Sequence, residues 1–193
     1  MPVAGVRGAG EAVLLPPPSN RVYEARVDAF SRERYAEAVE ALVSAFERRE
    51  GKRLAPGRLG RAGLKVYSGS GPGLATPPDL VRGVIEAMER RGFARKDLLI
   101  VDLREGRLRE CGFLPPLSEG GDRFEGVPVI ALDSGRYYDP QWYYDSPLPS
   151  RAEAALTTVD DVEERVVSEA ERKSYLPAPL MFDVDFWINL PGC

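Results

Sequence analysis

Apolar and polar positions alternate where the regular part of the chain begins. Residues 22–29 follow this period-two pattern, which is typical of a half-buried strand. Ser31 can then cap a helix, and apolar residues recur at helical spacing from Tyr35 to Phe46. Two arginines and Gly51 follow, as is typical of a helix end. The pattern therefore predicts a strand followed by an amphipathic helix.

A second strand and a second helix are predicted on either side of a glycine-rich loop. Residues 64–67 form the short strand, and residues 80–88 carry the apolar stripe of the helix. Thr76 is placed to cap this helix, with Pro77 in its first position and Asp79 three residues after the cap. The loop between this strand and this helix is the first candidate binding site.

Two further apolar runs predict strands in the middle of the chain. Residues 98–101 form a continuous apolar run bounded by charges, which is expected of a central parallel strand covered on both faces. Residues 127–132 predict another strand. Alternation of strands with helices implies parallel strands joined by right-handed crossovers. The predicted fold class is therefore α/β, a layered, mostly parallel sheet flanked by helices.

The last third of the chain is less regular. Residues 134–150 are rich in aromatic residues and proline and predict a long irregular segment. A charged helix with valines on one side is predicted over residues 160–173, and a final strand over residues 182–190. Because that strand ends so close to Cys193, two interpretations stay open. The strand is an edge strand at the true end of the protein, or the chain is part of a longer domain.

Length and composition predict one domain. The 193 residues suffice for one well-buried core, and 44% hydrophobic with 29% charged residues is typical of a soluble globular protein. Residues 1–20 are rich in glycine, include a triple proline and show no periodicity, which indicates a flexible tail. We therefore predict a tail over residues 1–20 and a single α/β domain over residues 21–193.

Charge and residue usage exclude several classes of function. A formal net charge of −4 and a pI near 5.1 argue against a general nucleic-acid binder. The chain has no histidine, which excludes Ser-His-Asp triads and histidine-ligated zinc. Cys111 and Cys193 are too few and too far apart for an iron–sulfur cluster ligated within the chain. No apolar run has membrane-spanning length. We expect a cytoplasmic protein without nucleic-acid or membrane partners.

The glycine loop lies where backbone amides and a helix N-terminus can bind an anion. Its glycines occupy three alternate positions, Gly69, Gly71 and Gly73. This spacing matches neither the dinucleotide fingerprint nor the P-loop. Because the helix dipole contributes only about 0.3–1 kcal/mol to a surface charge, anion binding would also need Lys65, Ser68 or Ser70. The alternative is a tight connection that binds nothing.

Other segments offer weaker candidates, each with a structural alternative. The aromatic residues of 137–145 could stack on a sugar, a base or a flavin, or fold back as a lid over the core. Asp183 and Asp185 could hold a cation through water or could protect an edge strand. Asp102 and Asp133 each follow an apolar strand, where ligands of open α/β sheets bind.

Cys111 lies among the arginines at positions 104, 107 and 109, which could lower its pKa. No histidine can serve as its base. A buried structural thiol is the favoured interpretation, and a nucleophile is the alternative.

The order of these segments resembles a known family. Lys65 leads into the glycine loop, TPPDLV at 76–81 opens the helix, and VDFWINLP stands at 184–191. This arrangement is similar to the family catalogued as domain of unknown function 362, found in bacteria and archaea. The resemblance covers residues 21–193, and its most specific piece is Asp185 with the residues 188–191.

The chain departs from that family at three places. Val66 and Tyr67 replace a Pro-Asn pair, Gly192 replaces a lysine, and the Lys-Thr-His that follows in the family lies beyond the chain. The resemblance thus implies that the chain is the N-terminal part of the family domain. Many relatives carry a ferredoxin-like iron–sulfur module, for which this chain lacks the cysteines.

Two functions are predicted from these observations. The first is binding of a small anionic or phosphorylated ligand at the carboxyl ends of the strands, by Lys65, Ser68, Gly69, Ser70, Gly71, Thr76, Asp185 and Asn189. The second is a non-catalytic accessory or protein-interaction domain that uses the aromatic segment 137–145. The sequence assigns no catalytic residue, metal ligand or cofactor, and it leaves open whether the protein is an enzyme.

Overall fold

The computed structural model of the protein describes residues 22–134, 136–145 and 173–192. The helices within them are α1 (Arg32–Glu50), α2 (Pro78–Glu89), α3 (Glu105–Glu110) and α4 (Ala178–Met181). The strands are β1 (Ala62–Lys65), β2 (Leu98–Asp102), β3 (Arg123–Phe124), β4 (Val127–Ala131), β5 (Tyr143–Asp145), β6 (Lys173–Tyr175) and β7 (Phe186–Asn189). Short 3-10 turns at Arg95–Asp97 and Leu132–Ser134 precede β2 and follow β4.

Five strands form a mostly parallel sheet in the order β3-β4-β2-β1-β7. β1 pairs in parallel with β2 on one side and with β7 on the other, and β2 pairs in parallel with β4. β3 runs antiparallel to β4, while β5 and β6 form a separate antiparallel pair. Because α2 follows β1 and α3 follows β2, strands and helices alternate along the chain. The predicted α/β fold class is confirmed.

α1 begins and ends at the residues that its sequence predicts. The Ser31 hydroxyl accepts a hydrogen bond from the Arg34 amide at 3.4 Å, and Gly51 ends the helix with a φ of 64°. The strand predicted over residues 22–29 is wrong, since these residues form no strand in the sheet. Among the described residues the alternating segment has no neighbouring strand to pair with, and its Val22 is 91% exposed.

The main core lies between the sheet and the helices α1 and α2. We call this side of the sheet the α2 face. Strand side chains at alternate positions point into it, among them Leu64, Leu98, Ile100 and Val127. α2 contributes the apolar stripe that its sequence predicts, including Val81, Val84, Ile85 and Met88. These residues are almost completely buried, so the α2 face supplies most of the apolar burial of the described chain.

Arg91 joins α2 to α1. Its guanidinium donates to the carboxylates of Glu40 and Glu47 at 2.9–3.1 Å, to the Ser44 hydroxyl and to the Ala87 carbonyl. The Arg91 hydrogen bonds hold the pKa of Glu40 at about 2 and lower the pKa of Glu47. The same partners raise the pKa of Arg91. An almost buried guanidinium is thereby fully paired, which fixes the two helices against each other.

α2 begins at Pro78, with Pro77 in the cap position and no side-chain cap hydrogen bond. The prediction that Thr76 caps this helix is therefore wrong. Its buried hydroxyl donates to the Leu190 carbonyl at 2.6 Å and accepts from the Tyr67 amide at 2.8 Å. Buried main-chain groups require partners, and Thr76 supplies one to each of these two. It thus joins the loop after β1 to the chain after β7.

The opposite side of the sheet, which we call the Trp187 face, carries a smaller apolar cluster. Its buried members are Leu99, Val101, Leu180 and Val184. Trp187 of β7 lies over Gly63, its in-register neighbour in β1. A Cβ atom at Gly63 would be 2.3 Å from the indole ring. Gly63 is therefore the residue that lets the indole cover β1.

The C-terminal third differs in part from the predicted elements. The helix predicted over residues 160–173 lies outside the described residues apart from Lys173, which begins β6. The final strand predicted over residues 182–190 is shorter, and α4 precedes it. β7 is an edge strand of the described sheet. In the aromatic segment, Tyr137 packs on the Trp187 face as a lid would, whereas Tyr144 is 60% exposed.

Candidate functional site

A cleft of about 830 Å³ lies at the carboxyl ends of β7, β1 and β2. Ligands of open α/β sheets bind at this end of the strands. The cleft opens over the Trp187 face, with α4 on its far side. Its polar lining residues are Lys65, Ser68, Asp102, Arg104 and Asn189.

Two of the predicted residues stand side by side at the polar end of the cleft. Lys65 ends β1 and Asn189 ends β7, and the two are in-register neighbours. Leu64 and Val66 point into the α2 face, so Lys65 projects from the Trp187 face. Both polar side chains are exposed, and Lys65 Nζ donates to the Val66 carbonyl at 3.3 Å. Because neighbouring strands are about 4.8 Å apart, one small polar group can contact both.

Ser68 and Asp102 form a buried polar pair at the inner edge of the cleft. Asp102 ends β2 and is 8% exposed, while Ser68 is 1% exposed. Asp102 Oδ2 accepts hydrogen bonds from the Ser68 amide and from the Ser68 hydroxyl, each at 2.6 Å. The pair holds the start of the glycine loop against β2. It also leaves one carboxylate in the lining of the cleft, at the strand end where the sequence predicts it.

The glycine loop is held together by its own hydrogen bonds. The Gly71 amide donates to the Ser68 carbonyl at 3.0 Å, and the Ala75 amide donates to the Gly71 carbonyl at 3.1 Å. The hydroxyl groups of Tyr67 and Ser70 are 2.6 Å apart. These groups are used within the loop, which is the arrangement of a tight connection. An anion in the cleft would have to be held by side chains rather than by these amides.

Four of the predicted ligand-binding residues line the cleft: Lys65, Ser68, Gly69 and Asn189. The other four do not belong to the lining: Ser70, Gly71, Thr76 and Asp185. Ser70 is bonded to Tyr67, Gly71 is buried within the turn, and Thr76 is bonded beneath the loop. Half of the predicted residues therefore line the cleft at the carboxyl ends of the strands, and the other half lie outside its lining.

Asp185 lies at the other end of the sheet, so its predicted place beside the glycine loop is wrong. It directly precedes β7, and its carboxylate accepts hydrogen bonds from the amides of Gly57, Leu59 and Arg61 at 2.8–3.2 Å. These amides, that of Leu59 foremost, lower the pKa of Asp185. Four residues of strand span about 13 Å, which separates Asp185 from Asn189. Asp183 pairs with Arg61, so both acidic residues order the chain before β1.

Arg104 is a cleft residue that the sequence analysis misses. It follows β2 by two residues, and its side chain is exposed at the cleft. Within the described residues, neither Arg104 nor Lys65 forms an ion pair with a carboxylate. The signal that could have found Arg104 is its position, because residues just beyond the carboxyl end of a central parallel strand face the ligand side.

Apolar side chains form the wall of the cleft opposite its polar end. They come from α4, its flanking residues and β7: Pro177, Leu180, Met181, Phe182 and Trp187. The Trp187 indole donates to the Met181 carbonyl at 3.4 Å, and Trp142 packs edge-on against Phe182 with ring centroids 5.2 Å apart. This wall has no sequence signal, since α4 is only 4 residues long and shows no periodicity.

Cys111 is buried behind the glycine loop. Its Sγ lies 3.8 Å from the Ser68 carbonyl oxygen. Burial raises the pKa of the Cys111 thiol. A thiol with a raised pKa is protonated at neutral pH and is a poor nucleophile. The burial of Cys111 therefore supports the structural role favoured from the sequence.

Metal-ligating side chains do not cluster in the part of the chain that the structure describes. No group of three or more Cys, Asp or Glu side chains there could hold a metal ion. Among the helices of the same residues, none has the length and apolar character needed to cross a bilayer.

Comparison with protein-family models, with curated proteins and with solved structures finds no match to this chain. The family resemblance drawn from the sequence therefore stays a prediction.

Proposed function

We propose that the protein binds a small anionic ligand in the cleft at the carboxyl ends of β7, β1 and β2. The observation that carries this proposal is the pair of cations, Lys65 and Arg104, that line the cleft without a carboxylate partner among the described residues. Cationic donors make charge-assisted hydrogen bonds to anions, which are about twice as strong as neutral ones. Asn189 adds an amide donor beside Lys65.

Asp102 determines where in the cleft the anion binds. Its carboxylate repels an anion, and two charges 4 Å apart near a protein surface interact by about 4 kcal/mol. Asp102 lies on β2, whereas Lys65 and Asn189 end β1 and β7 on the Trp187 face. The acid group of the ligand is therefore expected at Lys65 and Asn189. Arg104 adds to the positive potential from the β2 side.

Thermal shift measurements on the full chain test this proposal. The probes are inorganic phosphate, acetate and a nucleoside monophosphate, each added over a range of concentrations at constant ionic strength. At 100 times its Kd a ligand stabilises the folded state by about 2.7 kcal/mol. For a chain of this size that corresponds to a rise in Tm of roughly 5–10 °C. We expect such a rise with at least one of the anions.

Charge-removing variants show whether the cleft is the site of binding. Lys65→Met removes one charge-assisted contact, worth about 1.5–3 kcal/mol, so it should weaken binding by about 10-fold or more. Arg104→Met removes positive potential without removing a contact to the acid group, so it should weaken binding by a smaller factor. Lys96→Met is the matched control, because Lys96 is exposed in the turn before β2, at the opposite end of the strands. Equal Tm shifts in all variants, or no shift with any anion, would refute the proposal.

The second candidate function is a protein-interaction domain that uses the aromatic segment 137–145. The observation that favours it is the exposure of Trp142 and Tyr144, which are 48% and 60% exposed. Exposed aromatic side chains of this size are typical of interaction surfaces. The same experiment distinguishes the two functions. Only an anion-binding cleft is expected to show an anion-dependent rise in Tm that Lys65→Met reduces.

A further inference from the structure

The cleft is divided into a polar end and an apolar end along the strands. Asn189 ends β7, and Trp187 projects from the same face two residues earlier, roughly 7 Å further back along the strand. The Trp187 indole is joined to α4 by its hydrogen bond to the Met181 carbonyl. A ligand whose acid group reaches Lys65 and Asn189 therefore has its remaining atoms beside the indole and α4.

The apolar end exposes side chains that a bound molecule would cover. Met181 and Phe182 are 43% and 60% exposed, and both line the cleft. A cleft of about 830 Å³ is within the size range of sites for organic ligands, which are mainly apolar with a few polar groups that fix orientation. An inorganic anion would fill a small part of this volume and would leave the apolar wall in water.

We propose that the ligand is an amphipathic organic acid, with its acid group at Lys65 and Asn189 and a hydrocarbon portion against Trp187, Met181 and Phe182. This inference rests on the proposed function, since the acid group needs the Lys65 ammonium. The charge of the polar end and the apolar character of the wall complement the two parts of such a molecule.

Intrinsic fluorescence measures binding directly at the apolar wall. The chain has two tryptophans, Trp142 and Trp187. Trp142→Phe keeps an aromatic ring against Phe182 and leaves Trp187 as the reporter. Butanoate, hexanoate and octanoate are titrated into this variant, with 1-octanol and inorganic phosphate as the uncharged and the tail-free probes.

We expect affinity to rise by about four-fold for each methylene group that the wall buries. Octanoate, with four more methylene groups than butanoate, should therefore bind about 16- to 250-fold more tightly when two to four of them are buried. Met181→Gln should weaken octanoate binding by about 5-fold and leave butanoate unchanged, because it shortens the apolar contact and keeps the Met181 main chain. Lys65→Met should weaken octanoate binding by about 10-fold, and the control Lys96→Met should not change it.

The outcomes distinguish this inference from the proposed function. Equal affinities for butanoate, octanoate and phosphate, all reduced by Lys65→Met, would overturn the amphipathic ligand and keep the anion site. Octanol binding as tightly as octanoate would overturn both, because the charge would then contribute nothing. Absence of binding by every probe would also overturn both. An affinity that rises with the chain length of the acid and falls in Lys65→Met would support both the anion site and the amphipathic ligand.

Discussion

Arg91→Met tests how strongly the paired guanidinium holds α1 against α2. The Arg91 side chain is 6% exposed, while its partners Glu40 and Glu47 are 36% and 19% exposed. Methionine fills much of the same volume, so the variant removes the charge and the hydrogen bonds without opening a large cavity. Glu47 loses its counter-charge, Glu40 retains only the more exposed Arg90, and the Ala87 carbonyl loses a donor.

The magnitude follows from the pKa of Glu40. Its fall from 4.5 to about 2 corresponds to about 3 kcal/mol before allowance for solvent. Because Glu40 is about one-third exposed, screening reduces this to about 1–2 kcal/mol. Breaking a fully buried pair costs about 3–5 kcal/mol, which sets the upper limit once Glu47 is added. We expect Arg91→Met to lower the free energy of unfolding by about 2–4 kcal/mol.

Urea denaturation followed by circular dichroism measures this change, and the fall in Tm should be roughly 5–15 °C. Arg90→Met is the matched control. Arg90 also contacts Glu40, at 3.0 Å, but is 49% exposed, so its loss should cost about 0–1 kcal/mol. Adding Glu47→Gln to Arg91→Met should restore part of the stability, since Glu47 pairs with Arg91 alone among the ion pairs of the described residues and is left as an uncompensated charge.

The pH dependence gives a second measurement. The pKa of Glu40 is lower in the folded state than its usual value of 4.5. Its contribution is therefore complete above about pH 4.5 and is lost as the pH falls towards 2. The stability difference between the wild type and Arg91→Met should shrink over that range. A difference below 1 kcal/mol at neutral pH, or one that grows on acidification, would refute the reasoning.

Two further substitutions test contacts around the cleft. Gly63→Ala should lower the free energy of unfolding by about 1–3 kcal/mol, because its Cβ would collide with the Trp187 ring, whereas Gly106→Ala has open space and should be neutral or stabilising. Thr76→Val should cost about 1–3 kcal/mol through two unpaired main-chain groups, one of them the Leu190 carbonyl, and Thr76→Ser should retain most of the stability. Chemical denaturation measures the free energy of unfolding of Gly63→Ala against Gly106→Ala and of Thr76→Val against Thr76→Ser. Equal stabilities within either pair of variants would contradict the assigned contact.

Elements with local signals are those that the sequence predicts well. Ser31 and Gly51 mark the two ends of α1 because capping involves only neighbouring residues. The run at 98–101 predicts β2, since a strand buried on both faces is continuously apolar. The segment at 22–29 shows the limit of the same approach. Alternation indicates a strand only when another strand is available to pair with it.

Long-range contacts carry no such signal. Thr76 has the sequence context of a helix cap, yet its hydroxyl bonds to Leu190, 114 residues away. The side chain of Asp185 bonds to Arg61, 124 residues away, rather than to the loop beside its sequence neighbour Asn189. These partners come together only because β7 pairs with β1. The contacts can therefore be predicted only once that pairing is known.

The candidate site divides in the same way. The general rule that ligands bind beyond the carboxyl ends of parallel strands indicates Asp102 and Asp133 from the sequence, and of these two only Asp102 lines the cleft. It could also have found Arg104. The apolar wall of α4 and Trp187 could not be found, because it depends on a four-residue helix and on an indole covering Gly63.

Pairing of β7 with β1 has a consequence for the order in which the protein folds. β1, β2 and β4 follow one another closely in the chain. They can pair with one another through short crossovers that contain α2 and α3. β7 must instead close a loop of more than a hundred residues, and because the entropic cost of closing a loop grows with its length, we expect β7 to pair after the other parallel strands. The polar end of the cleft requires this pairing, and we expect it to form last. A ligand that contacts Lys65 and Asn189 together bridges β1 and β7, and so stabilises the pairing that closes the longest loop of the described sheet.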